Sequence, residues 1–201
     1  MDRRQRYVDV ALSLFLEQGF NGVSMDQLVA AAGGSKATLY RYFDSKEALF
    51  AAIIDGIAAD GAPADDEDWA TVPLRAGLEQ LVRTTCAVAL ADSTIELLRL
   101  ALGEYARFPE LARALYERGP AATYARLRRF LEVKRDAGEI EVDDLQIAAE
   151  QLLGVVIGHQ QLRTALGAGR PTDAEVEARI DAAVTGFLAV HGRTAAPAAS
   201  G

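Results

Sequence analysis

Residues 24–50 read SMDQLVAAAGGSKATLYRYFDSKEALF, and the reading of this stretch decides the fold. Ser24 followed by Gln27 is a capping box: the serine oxygen accepts a backbone N–H while the glutamine reaches back, so a helix begins just after Ser24. Apolar Met25, Leu28, Val29 and Ala32 then recur at helical spacing. The helix stops at Gly33 and Gly34, where positive φ costs little. Ser35 caps a second helix at once. A turn this short leaves no room for a third element, so the two helices cross closely, as in a helix-turn-helix unit.

On the second helix each residue advances about 100° around the axis, which places Leu39 and Phe43 on one core-facing stripe. The opposite surface carries Ala37, Thr38 and Arg41, with Tyr40 and Tyr42 on its flanks and Lys36 in the first turn. Side chains on such a crest can approach base edges in a groove, and tyrosine hydroxyls can reach phosphate oxygens on its walls. Ser45 caps the next helix with Lys46 in its first turn, where backbone N–H groups and an ammonium together favour a phosphate. Taken singly, each of these residues is better read as a packing aromatic or a solvated charge. Two serine caps and a glycine turn joined to them point to DNA reading.

Gly19-Phe20, Ser24-Met25-Asp26, Ala32-Gly33, Ser35-Lys36, Thr38-Leu39-Tyr40-Arg41-Tyr42-Phe43 and Ser45-Lys46-Glu47-Ala48-Leu49 together resemble the amino-terminal domain of the tetracycline-repressor-like (TetR/AcrR) family. The resemblance runs without a gap over about the first fifty residues. It implies that Lys36, Ala37, Thr38 and Arg41 align with base-contacting positions, and Ser24, Tyr40, Tyr42 and Lys46 with phosphate-contacting ones. With Ser35 at the cap of the reading helix, these make up the expected DNA-binding set. Ala37 brings only a methyl group, so readout there is apolar or absent.

Half of the 201 residues are apolar, which suits one compact domain or two small ones sharing a core. Cys86 is the single cysteine and there are two histidines, which excludes an internal disulfide and leaves no zinc cluster; no metal or cofactor is expected. The opening Met1-Asp2-Arg3-Arg4-Gln5-Arg6 leads into an amphipathic helix rather than a signal-peptide core, and no later apolar run spans a bilayer. The expectation is a reduced, cytoplasmic protein without a membrane partner.

The net charge of −8 is unevenly placed. Residues 1–50 hold six Lys and Arg against six Asp and Glu, whereas residues 51–201 hold fifteen against twenty-three, so all the excess acid lies outside the reading head. Arg3, Arg4 and Arg6 could hold a flanking phosphate or reach a minor groove, or form a disordered basic start. A neutral head on an acidic body binds nonspecific DNA weakly and relies on paired heads and site-specific contacts.

Beyond residue 50 the chain keeps reading as helix. Phe50 to Ala59 completes a fourth helix, and Ala58 to Thr71, with Gly61, Pro63 and Asp65-Asp66-Glu67-Asp68, reads as a loop that Trp69 pins to the body. Pro73 sits at the first turn of a helix with Leu74, Leu78, Leu81, Val82, Thr85 and Ala89 on one stripe. Ile95, Leu97, Leu98, Leu100, Ala101 and Leu102 leave little of the next helix polar, as for a central helix. Pro109 and Pro120 each read as helix openers, and Gly138 as the stop of a helix from Pro120 to Ala137. Asp143 with Gln146 opens a helix to about Leu166; Thr172 with Glu175 opens the last, to about Val190. The expected fold is all-α, about nine helices: residues 1–50 a helix-turn-helix domain, 51–192 an effector-binding and dimerisation domain, 193–201 a disordered tail.

The last two helices are the candidates for joining subunits. Gly154 and Gly158, four apart inside a helix, each cost about 1 kcal/mol relative to alanine, and close backbone approach would compensate. Val176, Ile180, Ala183, Val184, Phe187 and Leu188 offer an apolar stripe on the final helix, and two such helix pairs can form a four-helix bundle across a two-fold axis. The expected interface is therefore Gly154, Gly158, Val176, Ile180, Val184 and Phe187, unless these faces complete a protomer core. The family resemblance implies the homodimer.

A cavity between the helices from Pro73 to Ala137 could take a small apolar effector, with Cys86, Arg99, Tyr105, Tyr124 and His159 or Gln160 as polar fittings. Each has a plainer reading: Cys86, Tyr105 and Tyr124 as packing residues, Arg99 paired with Glu96, His159 satisfied or at an interface. Glu104 to Leu115, with Phe108-Pro109-Glu110-Leu111, and Gly138 to Asp144 resemble one common regulatory-domain subgroup of the family. Two functions compete. One is a ligand-responsive regulator, a repressor that holds a palindromic operator as a dimer and lets go when an effector binds. The other is a helical small-molecule carrier or enzyme retaining an ancestral head. The chain carries no nucleophile paired with a base, no metal set and no phosphate loop, so the expectation is that it is not an enzyme.

Overall fold

Helix α1 (Arg3–Gly22) starts on Asp2, whose side chain accepts from the Arg4 N–H at 3.3 Å, in a computed structural model that describes residues 2–60 and 68–193. The arginine-rich start is thus helical, and the Arg4 guanidinium lies 5.2 Å from the Phe43 ring centre. Near its end α1 is broken at Gly19, with φ 74° and ψ 159°, and Phe20 turns into the core. Next come α2 (Met25–Ala32) and α3 (Lys36–Tyr42), on the expected caps, and α4 (Lys46–Asp60).

The remaining elements are α5 (Leu74–Ala89), α6 (Asp92–Gly103), α7 (Pro109–Tyr116), a π-turn (Glu117–Ala121), α8 (Ala122–Asp136), α9 (Leu145–Leu153), a second π-turn (Gly154–Gly158), α10 (His159–Ala165) and α11 (Asp173–His191). Each π-turn continues the helix before it into the helix after it, so the described residues form nine helical runs. The fold is all-α; the only extended pairing among the described residues is an isolated antiparallel bridge between Ile140 and Gly192.

Packing divides the chain into two compact units, residues 1–60 with 91–121 and residues 61–90 with 122–201. The division therefore does not fall at residue 50. In the first unit Phe20 packs on Phe15, Phe50 and Phe108 at ring separations of 5.0, 6.1 and 5.1 Å, so α6 and α7 share the core of the three amino-terminal helices. Burying one such ring contributes about 1.5–3 kcal/mol. In the second unit Trp69 stacks edge-on against Phe130 at 5.3 Å, and Gly77 lets the same ring approach α5: a Cβ there would stand 2.5 Å from it. Lys134 is buried as well, its ammonium 2.9 Å from the Glu139 carboxylate.

Several expectations are corrected. Pro120 does not open a helix but lies inside the first π-turn, whose wider winding gives the pyrrolidine ring the space an α-turn denies it. Asp144, not Asp143, caps α9, accepting from the N–H groups of Gln146 and Ile147 at 2.9 and 3.0 Å. Helix α6 is not enclosed, because Leu102 is 62% exposed. Arg193 is ordered: its N–H donates to the Glu139 carbonyl at 2.9 Å and its guanidinium pairs with Glu141. The loop reading falls mostly on residues 61–67 and the tail reading on 194–201, outside the described residues; within them, Asp68 to Thr71 forms a turn held by the Asp68 carbonyl.

Between α2 and α3, Gly33 and Gly34 take φ of 73° and 116°. The Tyr7 hydroxyl donates to the Gly33 carbonyl at 3.3 Å, and a Cβ on residue 34 would stand 2.6 Å from that oxygen. Gly34→Ala adds both steric overlap and an unfavourable φ, and should lower stability by about 1–3 kcal/mol in denaturant melts. An unchanged unfolding midpoint would contradict this account of the turn.

Candidate nucleic-acid interface

The reading helix is built by its caps. Ser24 Oγ accepts from the Gln27 N–H at 3.2 Å while Gln27 Oε1 receives the Ser24 N–H at 2.7 Å. Ser35 Oγ accepts from the Thr38 N–H at 3.2 Å. These bonds satisfy backbone donors that an uncapped helix leaves open. Leu39 and Phe43 are buried beneath α3, as the spacing requires. Ala37, Tyr40 and Arg41 are exposed and Thr38 half-exposed on the other side.

The polar groups of this surface are already engaged with one another. Lys36 Nζ lies 2.6 Å from Asp26, both side chains 63% exposed. The Asp26 carboxylate, by hydrogen bond first and charge second, holds the Lys36 pKa above the ordinary lysine value. Thr38 Oγ1 is 3.0 Å from Ser35 Oγ, and Arg41 Nη2 donates to the Tyr42 hydroxyl at 3.3 Å with its guanidinium over the Tyr42 ring. Tyr42 packs its ring on the core and keeps its phenolic proton for an acceptor. Ser24 Oγ also lies 2.9 Å from Gln27 Oε1, so the cap takes its proton.

Lys46 differs from its expected part. Its ammonium turns inward, donating to the Phe20 carbonyl at 2.7 Å and sitting 4.5 Å from the Phe20 ring centre. Partial burial pulls its pKa below the ordinary value. One of its three donors is therefore spent on holding the end of α1. Glu104, at the C-cap of α6, supports the same turn by accepting from the Asn21 N–H at 3.4 Å. Asp26, Tyr7 and Glu104 were missed in the sequence because their partners lie 10, 26 and 83 residues away, beyond any helical spacing rule.

The expected effector fittings are shared between the two units. Arg99 and Tyr105 belong to the first unit and are exposed; Cys86, Tyr124, His159 and Gln160 belong to the second. Cys86 is buried among apolar side chains, and that burial pushes its thiol up to about 12. Tyr124 packs half-buried on the same core. Gln160 is buried, and with its amide turned so that the oxygen faces the donors around it, that oxygen would accept from Arg179 Nε at 3.0 Å, Arg179 Nη2 at 3.2 Å and His159 Nδ1 at 3.2 Å.

The expected dimer stripe is half corrected. Ile180, Val184 and Phe187 are buried in the second unit's own core and Val176 packs against it. Gly154 and Gly158 are exposed, with nothing within 4 Å of an added Cβ. The apolar residues left open near them in sequence are Ile147, Val155, Leu162 and Leu166, with Val190 on α11.

A serine-capped helix displaying small and hydrogen-bonding groups beyond a glycine turn defines a DNA-binding regulator of the helix-turn-helix class. Residues 8–53 match the tetR family of bacterial regulatory proteins, and residues 76–193 match the AefR-like transcriptional repressor C-terminal domain. An HTH-type transcriptional regulator of Mycobacterium tuberculosis is 30% identical over 181 residues, 89% of this chain and 84% of that protein. Among solved structures, the flavonoid-responsive regulator FrrA is 37% identical with a TM-score of 0.78, covering 96% of this chain and 98% of its own. A TetR-family regulator from Mesorhizobium loti is 30% identical with a TM-score of 0.78, covering 95% and 97%. The chain belongs to the tetR family of transcriptional regulators, DNA-binding proteins rather than enzymes. Among the described residues no helix is long and apolar enough to cross a membrane.

Side-chain NMR of the lysines should separate Lys36 and Lys46 on a pH titration, Lys36 titrating above 10.5 and Lys46 below it. The Lys36–Asp26 contribution to stability is complete below the unfolded-state pKa of about 10.4 and is lost as pH rises through the higher folded-state value. For Lys46 the sign reverses: the burial cost is full below its folded-state pKa and is relieved as pH rises towards the unfolded one. Coincident titration of the two would contradict both placements.

Proposed function

We propose that the chain is a repressor which pairs with a second copy, places its two α3 helices in successive major grooves of a palindromic operator, and releases the DNA when a small, largely apolar molecule binds its body. The observation that carries this reading is the capped α3, with exposed Ala37 and Arg41 and half-exposed Thr38 as base readers and Tyr40 and Tyr42 flanking them towards phosphate. The match of residues 76–193 to an AefR-like repressor domain supports the sign of regulation. FrrA's name, a flavonoid-responsive regulator, supports an effector of that flat, apolar kind and makes flavonoids the first probes.

Two reading heads fit a palindrome when their helices stand about 34–36 Å apart, or a multiple of that. The pairing surface we assign is the open side of the α9–α10 run, Gly154, Val155, Gly158, Leu162 and Leu166, with the exposed small residues Ala178, Ala182, Gly186 and Ala189 of α11. Small residues let helix backbones approach closely, which an operator-binding dimer of four helices requires. The effector must bind the DNA-incompetent state more tightly than the DNA-bound one, or it shifts nothing.

Fluorescence anisotropy on DNA from upstream of the chain's own gene tests this. A palindromic fragment should compete at least about 10³-fold better than random DNA, the lower end of the usual range of specificity ratios of about 10³–10⁷. Equal competition would refute operator binding. Tyr42→Phe should weaken binding at all sequences alike, whereas Thr38→Ala should change preference at particular base pairs of a randomised library. Val155→Asp, which places a charge on the pairing surface, should convert dimer to folded monomer in sedimentation equilibrium and abolish palindrome preference. A dimer that survives it would move the interface elsewhere.

A further inference from the structure

The reading head carries no net charge, and one of its six cations is cancelled by a carboxylate of the head itself. Lys36 stands at the first position of α3, and Asp26 stands in the first turn of α2 with its oxygen 2.6 Å from the Lys36 ammonium. Both side chains are 63% exposed, so neither desolvation nor packing compels the pairing. An ammonium has three donors. Asp26 occupies one and leaves two, enough to meet the O6 and N7 acceptors of a guanine in the major groove. A phosphate held by the same ammonium would have to accept an adjacent carboxylate, and like charges a few ångströms apart repel.

Resting on the DNA-reading function proposed above, we propose that Asp26 is a specificity-determining positioning residue: it holds Lys36 for a base edge and withholds it from the phosphate backbone. Sequence-independent binding is set by how many phosphates are neutralised, each adding about 0.9 to the slope of log affinity against log salt. Asp26 removes one such neutralisation per head. The cost falls on random DNA, where Lys36 could only reach phosphate, and much less on an operator, where it reaches a base. Asp26 also suits the positive end of α2, which by itself would account for an acidic residue there. That simpler role predicts a change in stability and none in the salt slope.

The test uses the full chain as wild type, Asp26→Asn, Lys36→Met and the double variant. Binding to the palindromic upstream fragment and to a random duplex of equal length is followed by anisotropy between about 50 and 200 mM salt. Asp26→Asn should bind the random duplex roughly three- to tenfold tighter, with a slope steeper by about 0.9 per bound head, while operator affinity rises less and the discrimination ratio falls. In the Lys36→Met background the same substitution should have no effect on the slope. An unchanged slope and ratio in Asp26→Asn would overturn the inference while leaving operator binding standing. An equal gain in the Lys36→Met background would overturn it too, because Asp26 would then act as a general negative charge. Equal wild-type affinity for both duplexes would overturn the operator reading, and with it this inference.

Discussion

The orientation of the reading helix depends on a side chain that is absent. Gly34 has φ of 116° and leaves free the space in which the Tyr7 hydroxyl sits, 2.6 Å from where a Cβ would stand. That hydroxyl donates to the Gly33 carbonyl, so α1 holds the turn between α2 and α3 directly. The serine caps on either side only start helices; the Tyr7 contact fixes how they cross. Lys46 and Glu104 do the same for the turn at Gly19 to Gly22, one through the Phe20 carbonyl and the other through the Asn21 N–H. The head is thus held at its two turns, and its aromatic core fills the space between them.

The head was legible because its signals are local. A capping box spans four residues, a glycine turn two, a helical stripe a handful, and all of these came out as read. The partners of its polar groups were not legible. The position of Lys46 in a first turn points to a phosphate, yet its ammonium finds the Phe20 carbonyl 26 residues earlier. Charge counting gave a neutral head, and the contact between Asp26 and Lys36 locates part of that neutrality on the reading surface itself.

The body shows what periodicity leaves open. The spacing marks one apolar stripe on α11, and its Ile180, Val184 and Phe187 face the protomer's own core. Periodicity says that one side of a helix is covered, not by what. The side of α11 that stays open carries alanines and Gly186, which a hydrophobic pattern passes over. Pro120 misled for a related reason: proline opens α-helices, but it also fits a π-turn, and no local signal in the chain separates the two. Chemical type along the chain says which residues can serve as polar fittings, not which are taken up by the fold: the Gln160 side chain is buried within the second unit.

The central claim is that the motif from Ser24 to Phe50 is half of a DNA-binding site. Native mass spectrometry of the chain on a palindromic duplex and on the same duplex with one half-site scrambled tests it most directly. The account predicts two protomers on the palindrome, with binding lost when either half is scrambled. One protomer bound with undiminished affinity to the single intact half-site would contradict it.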